Sequence, residues 1–150
     1  MDRDDDILIT GKRHDFYSDY EVGFNEKGVI EGVKIKLLSR CGISPDLSGA
    51  INGRALLHID NAYYLSNVLV ENYLCKTNTS SSTAFRGFGG NQGMMIIENI
   101  VDNVAKYLGK DPAEIRKLNF YQKNKKNITH YGICLLYTSD AADEGLGVDL

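Results

Sequence analysis

One stretch constrains this chain more than any other: Thr83-Ala-Phe-Arg-Gly-Phe-Gly-Gly90, continuing Asn91-Gln-Gly-Met. It sets an arginine between two phenylalanines in a loop that carries three glycines. Glycine frees the backbone to take positive φ and lets main-chain N–H groups approach a bound group closely. A phenylalanine at a loop tip implies a flat apolar partner on which to stack. A β-rich run over residues 68–76 and the polar segment 77–83 precede the octet, and from Asn91 onward the pattern turns helical. The loop therefore delivers a helix N-terminus, where unpaired N–H groups favour anions or oxo groups. A bare glycine-rich strand-to-helix turn would have low specificity. The whole octet is far more specific.

The opposite end of the chain is read differently. Residues 134–144, Cys-Leu-Leu-Tyr-Thr-Ser-Asp-Ala-Ala-Asp-Glu, match a translated transposase adapter from a short-read sequencing library, and residues 145–150 fit an index with further adapter. The expected division is thus a natural segment, 1–133, followed by a non-native tail, 134–150, which is left out of the fold argument. The tail contains Asp140, Asp143, Glu144 and Asp149 and no basic residue. Removing those four acids from 20 leaves 16 against 17 basic residues, a formal charge of +1 instead of −3. The acidic balance of the whole chain therefore says nothing about partners.

What remains is one domain's worth of chain with ordinary apolar content for a soluble globular protein. No apolar run approaches the ~20 residues needed to cross a bilayer, and no signal peptide opens the chain, so no membrane partner and a cytoplasmic location are expected. Basic residues are scattered except for Lys123, Lys125 and Lys126, read as a solvated linker and not a nucleic-acid patch. Cys41 and Cys75 are far apart and show no CxxC, Cys/His or iron–sulfur spacing. Each reads as a small buried hydrophobe.

Coarse patterning indicates an α/β (α+β) organisation: strands with a hairpin, then packed helices. Phe16, Tyr20, Val22 and Phe24 fall on alternate positions, as a half-buried strand requires. Asn25-Glu-Lys-Gly28 is a turn, and a second strand over 29–38 sets Val33, Ile35 and Leu37 on one face. Ile97, Ile100, Val101, Val104 and Leu108 form a helical apolar face that Gly109 can end. Asp111, Pro112 and Glu114 predict a capped start to a short helix, with a capping box and with Ile115 and Leu118 as its anchors.

A further helix is predicted from Asp46 or Ser48 to about His58, where Leu47, Ile51, Arg54 and His58 recur at intervals of four, three and four. Arg54 then shares a stripe with apolar residues. A buried guanidinium is costly unless it meets an anion or several acceptors. It either snorkels or pairs with a carboxylate, or it projects into a pocket.

Taken together, Arg13-His-Asp-Phe16, Asp46-Leu47, Arg54-Ala-Leu-Leu-His58, Asn61-Ala-Tyr63, Lys76-Thr-Asn78 and the octet closely resemble the molybdopterin-binding domain of the xanthine dehydrogenase/oxidase family of molybdenum hydroxylases, in order and separation. The resemblance covers essentially Asp2 to Gly132, and Met1 falls at a mid-domain position, so an internal piece of a larger subunit is expected. It implies that Arg54 orients a purine and stabilises negative charge developing on it, a catalytic and substrate-binding role. Phe88 matches one of two phenylalanines that sandwich the substrate ring. Arg86 with its neighbours Phe85 and Gly87 matches the loop that binds the cofactor and packs against the molybdenum through main-chain N–H groups. Asn91 departs from the family, which usually has proline there, and is expected to touch only how the helix begins. His14 and His58 receive no role.

The implied reaction is hydroxylation of a heteroaromatic carbon, hypoxanthine to xanthine to urate, with water as the oxygen source. The implied cofactors are molybdenum–molybdopterin here, and [2Fe–2S] clusters and FAD in partner subunits or domains of the complete enzyme. The base of the reaction and the second aromatic clamp are expected C-terminal to the octet, so this piece alone is expected to be inactive. An aldehyde oxidase-type relative shares the loop but usually lacks the pocket arginine, and carbon monoxide dehydrogenase relatives carry a loop cysteine that is absent here. A non-catalytic nucleotide-binding module is a third alternative, but Gln92 stands where GxGxxG needs its last glycine and no GK[ST] follows.

Overall fold

The structure, a computed structural model, describes residues 2–122 and 126–133; the adapter-like tail and Lys123 and Lys125 lie outside the described residues. Seven elements follow in order: α1 (Arg3–Ile9), β1 (Phe16–Phe24), β2 (Ile30–Gly42), α2 (Ser48–Leu57), β3 (Val68–Lys76), α3 (Gly90–Leu108) and α4 (Pro112–Asn119). The strands form one mixed sheet in the order β1-β2-β3. β1 pairs antiparallel with β2, and β2 pairs parallel with β3, with α2 as the crossover between them. The architecture is α+β. Among the described residues no helix is long and apolar enough to cross a membrane.

The hairpin turn rests on Asn25, whose side-chain oxygen accepts the N–H groups of Lys27 and Val29 at 3.0 and 3.2 Å. Gly28 beside it sits at φ +96°, a conformation that glycine takes without strain. β2 runs to Gly42, four residues beyond the predicted end at Leu38, because β3 gives its C-terminal half a partner that local pattern does not reveal. On β2, Val33, Ile35 and Leu37 are buried on one face, as alternation requires. They pack with Ile97, Ile100, Val101 and Val104 of α3 and with Ile59, Tyr63 and Leu65 from the segment after α2. β1 shows the alternation in weaker form, its inner residues being half-buried.

α3 ends at Gly109, which adopts the left-handed conformation at φ +64° and so closes the helix as its sequence predicts. α4 starts at Pro112, with Asp111 accepting the Ala113 N–H at 2.9 Å. The predicted capping box is not formed there, since Asp111 bonds the second helical N–H and not that of Glu114. Leu118 is also no anchor: it is 40% exposed, and Asn119 secures the helix end instead. Asn119 accepts the Ile30 N–H at 2.8 Å and donates to the carbonyls of Gly28 and Ile115, both at 2.9 Å. α1, which the sequence reading did not anticipate, carries a complete capping box between Asp2 and Asp5.

A polar cluster ties the middle of α3 to α4. Arg116 bonds Glu98 at 2.9 Å and Asp102 at 2.7 Å, while Glu98 also accepts from Asn61 at 2.9 Å and from the Tyr63 hydroxyl at 2.6 Å. Burial alone would raise the Glu98 carboxyl, but the Tyr63 hydroxyl and the Arg116 guanidinium outweigh it and hold it below its ordinary 4.5. Burial and Glu98 together push the Tyr63 hydroxyl well above its ordinary value, so it remains a donor at all physiological pH.

Candidate functional site

The octet folds as two tight turns leading into α3. The Phe88 N–H donates to the Phe85 carbonyl at 2.8 Å, and the Gly90 N–H to the Gly87 carbonyl at 3.0 Å. Gly87 and Gly89 both take φ +92°, and between them Phe88 takes φ +47°. Three consecutive residues in the left-handed region make a sharp reversal that only glycine enters freely. Phe88 pays strain of order 1–3 kcal/mol to be there, a cost that clusters at functional positions. Among the described residues, the N–H groups of Phe85, Arg86 and Gly87 have no hydrogen-bond acceptor. Phe85 is 60% exposed and Arg86 is exposed, while Phe88 is half-buried.

Helix α2 presses against this turn backbone to backbone. A Cβ on Gly89 would collide with the carbonyl oxygen of Ile51, and one on Gly93 with that of Ala55. The ring of His58 lies over Gly90. Glycine at 89 and 93 therefore lets α2 approach the start of α3 more closely than any side chain would allow. Asn91 also reaches further than its sequence position suggests, since its side-chain amide covers the Cα face of Gly87 inside the octet.

Arg54 stands on α2 between Gly53 and the contact residue Ala55, but it does not lie on a buried stripe. The buried residues of α2 are Ser48, Ile51, Asn52 and Ala55, whereas Leu47 and Arg54 are exposed and His58 is half-buried. The predicted stripe was out of phase by about one position, because the small residues Ser48, Asn52 and Ala55 face the core where a larger apolar residue was sought. The Arg54 guanidinium makes no ion pair or hydrogen bond with any other described residue. The salt-bridge alternative for Arg54 is thus not realised within this segment.

Beneath the octet runs the segment that precedes β1. The Lys12 carbonyl accepts the Thr83 N–H at 2.9 Å, and the Thr83 hydroxyl donates to Asp46 at 2.7 Å. The Arg13 guanidinium lies over the Phe85 ring at 4.6 Å from its centre, a cation–π contact. His14 is 2% exposed; its Nε2 meets the Ser48 hydroxyl at 2.6 Å, and its carbonyl accepts from the Gln92 amide at 3.0 Å. These side chains close-pack with Ile51, Phe88 and Gly89 around a nook with no room for water. Burial lowers the His14 imidazole from its ordinary 6.5, against the opposing pull of Asp15 and Asp46. Sequence reading left His14, Ser48 and Gln92 without a role, because their partners lie 34 and 78 positions away and no local periodicity marks them.

The structure thus joins the octet residues Phe85, Arg86, Gly87 and Phe88 in one turn and docks the helix bearing Arg54 against it. Free main-chain donors, an exposed aromatic ring and a 19-residue helix start without a side-chain cap suit an anionic, oxygen-bearing cofactor. Among the described residues there is no cluster of His, Cys, Asp or Glu able to hold a metal by itself.

Residues 1–120 match the molybdopterin cofactor-binding domain family. The chain is 47% identical over 131 residues to xanthine dehydrogenase/oxidase of Gallus gallus, covering 87% of this chain and 10% of that one. It is 46% identical over 123 residues to xanthine dehydrogenase of Dictyostelium discoideum, covering 82% and 9%. It therefore spans about a tenth of the length of the curated relatives it matches. Among solved structures, the aldehyde oxidoreductase of Desulfovibrio desulfuricans superposes with a TM-score of 0.74 at 24% identity, over 91% of this chain and 15% of that one. The quinoline 2-oxidoreductase of Pseudomonas putida does so with 0.73 at 21% identity, over 98% and 20%. At these identities the two structures speak to the fold alone.

Proposed function

The chain belongs to the molybdopterin cofactor-binding domain family, and on that basis we propose that residues 1–133 are one wall of the molybdenum site of a xanthine dehydrogenase that converts hypoxanthine and xanthine to urate. Residues 134–150 are, on this reading, adapter-derived and take no part. Phe85, Arg86 and Gly87 would hold the cofactor through their N–H groups, which have no acceptor among the described residues, with Arg86 as the contact on its metal-bearing side. When bound, molybdenum–molybdopterin supplies the two-electron oxidation and the transfer of a water-derived oxygen. Phe88 offers its ring to the flat face of the purine, held toward the site by the strained turn. Arg54 reaches over the substrate from α2 and stabilises the negative charge that develops on it, which typically lowers a barrier by a few kcal/mol.

The observation that carries the purine assignment is Arg54 itself: an exposed guanidinium with no partner among the described residues, on the helix docked against the aromatic turn. A guanidinium without a partner suits an anionic or oxo-bearing heterocycle better than a neutral aldehyde. The activity belongs to the complete cytoplasmic enzyme, with [2Fe–2S] and FAD domains or subunits as electron partners, and this segment alone is inactive because it supplies only part of the pocket. Arg54→Met in the complete enzyme is expected to lower kcat/KM for xanthine by about 1000-fold and for an aldehyde by less than about 10-fold. Equal losses on both substrates would refute the purine assignment and favour a structural arginine.

A further inference from the structure

His14 holds the two arms of the site by two different groups. Its ring reaches the Ser48 hydroxyl, in the first turn of the helix that bears Arg54, at 2.6 Å. Its main-chain carbonyl takes the Gln92 amide, in the first turn of the helix that follows Phe88, at 3.0 Å. We infer that His14 is a positioning residue that sets the separation of Arg54 from the Phe88 turn, and so tunes substrate selectivity without touching substrate. The inference rests on the proposed substrate role of Arg54.

The physical case starts from what else secures α2. Its N-cap, Leu47, offers no side-chain hydrogen bond, so the first turn lacks the usual local anchor. Close packing of Ile51 and Ala55 on Gly89 and Gly93 fixes how near the helix comes, and the Asn52 amide donates to Asn72 of β3 at 2.7 Å, but these contacts leave the first turn without a polar tether of its own. The ring bond at Ser48 supplies that tether. His14 is itself rigid, buried to 2% exposure and enclosed by Ile51, Phe88 and Gln92. By geometry its Nδ1 has no hydrogen-bond partner among the described residues, while its Nε2 meets the Ser48 hydroxyl.

The two groups of His14 separate in their consequences. Losing the ring bond loosens the first turn of α2, and with it the placement of Arg54, but leaves the octet held by Gln92 and the Lys12 carbonyl. Losing the Gln92 amide loosens the octet, which every substrate needs. A misplacement of about 1 Å can cost as much as ~100-fold in rate.

The test uses the complete molybdenum-loaded enzyme, with kcat and KM measured for xanthine and for an aldehyde and molybdenum content measured per protein. Ser48→Ala and His14→Leu are each expected to lower kcat/KM for xanthine about 10-fold, with molybdenum content unchanged and aldehyde turnover altered less than about 2-fold. His14→Gln, whose amide can reach the Ser48 hydroxyl, should restore most of the loss. Gln92→Leu should lower both substrates together. If Ser48→Ala loses xanthine and aldehyde turnover equally, or neither, the inference is overturned, even should His14→Leu fail to fold. Arg54→Met tested in parallel separates the two ideas: if it discriminates between substrates while Ser48→Ala does not, only the role of His14 fails.

Discussion

The two ends of α3 are built on opposite principles. From Ile97 onward it buries Ile97, Ile100, Val101 and Val104 to 1% exposure or less, and Glu98 and Asp102 bind Arg116 of α4. There side chains fill space, and each of these charges has a partner. Its N-terminal turn is Gly90-Asn-Gln-Gly93, where contact with α2 is made by backbone. Among the described residues around that turn, Arg13 Nη1, His14 Nδ1 and Gln92 Oε1 are buried without a bond, and the amides of Phe85, Arg86 and Gly87 ahead of it have no acceptor. One end is saturated and the other has unmet bonding capacity. A helix anchored firmly at its far end can afford an N-terminus arranged for a ligand instead of for its own stability.

That contrast breaks first at Gly89. Gly89→Ala adds a Cβ against the Ile51 carbonyl at φ +92°, and the turn cannot keep its shape. Turnover of every substrate by the complete enzyme should fall on the order of 100-fold. Hydrogen exchange of the α3 amides from Ile97 onward should stay as in the parent. Fast exchange throughout the helix would show that its two ends are a single unit.

The far end gives a smaller, complementary effect. Ile100→Val removes one methyl group from a fully buried site and should cost about 1 kcal/mol. Read as exchange in the middle of α3, that is about a fivefold acceleration, with kcat/KM for xanthine unchanged within error. A matched loss of activity would erase the distinction between the two ends of α3.

Acid should sharpen the comparison by acting on the two ends in sequence. The buried His14 ring resists protonation, so the unfolded chain takes up its proton first and stability is lost as pH falls from about 6.5. The Glu98 carboxyl is held below 4.5, and its contribution survives until pH falls beneath that value. Thermal midpoints measured from pH 7.5 to 3.5 should therefore decline in two stages, and His14→Gln should abolish the upper one. An upper stage unchanged in His14→Gln would assign it to another group.

How much of this the sequence disclosed follows the same division. β3 and α4 occupy the expected residues, and Gly109 ends α3 where periodicity put it, because local signals of alternation, capping and left-handed glycine decide those features. The octet stands out as a candidate site for the same reason: its glycines and phenylalanines violate ordinary local rules. Arg54 is a candidate through its resemblance to a family position alone, while the physical argument for it fails, since the stripe it shares is not the buried one. Periodicity sees large apolar residues, and α2 packs through Ser48, Asn52 and Ala55. The joint at His14 was not legible at all. A hydrogen bond spanning 78 residues leaves no trace in a window of 11–18.

The parallel pairing of β2 with β3 carries a consequence for the order of folding. The β1–β2 hairpin closes through a short turn and needs no distant partner, so it can form within microseconds. β3 must cross over by way of α2 before it can lie beside β2, and the octet follows β3. Loop-closure entropy has to be met before these non-local contacts yield any return. The turn that presents Phe88 is therefore among the last features to appear, on a scaffold already in place. Until then β2 has one edge without a strand, and a nascent chain that pauses at this stage exposes Val33, Ile35 and Leu37 to any strand that comes near.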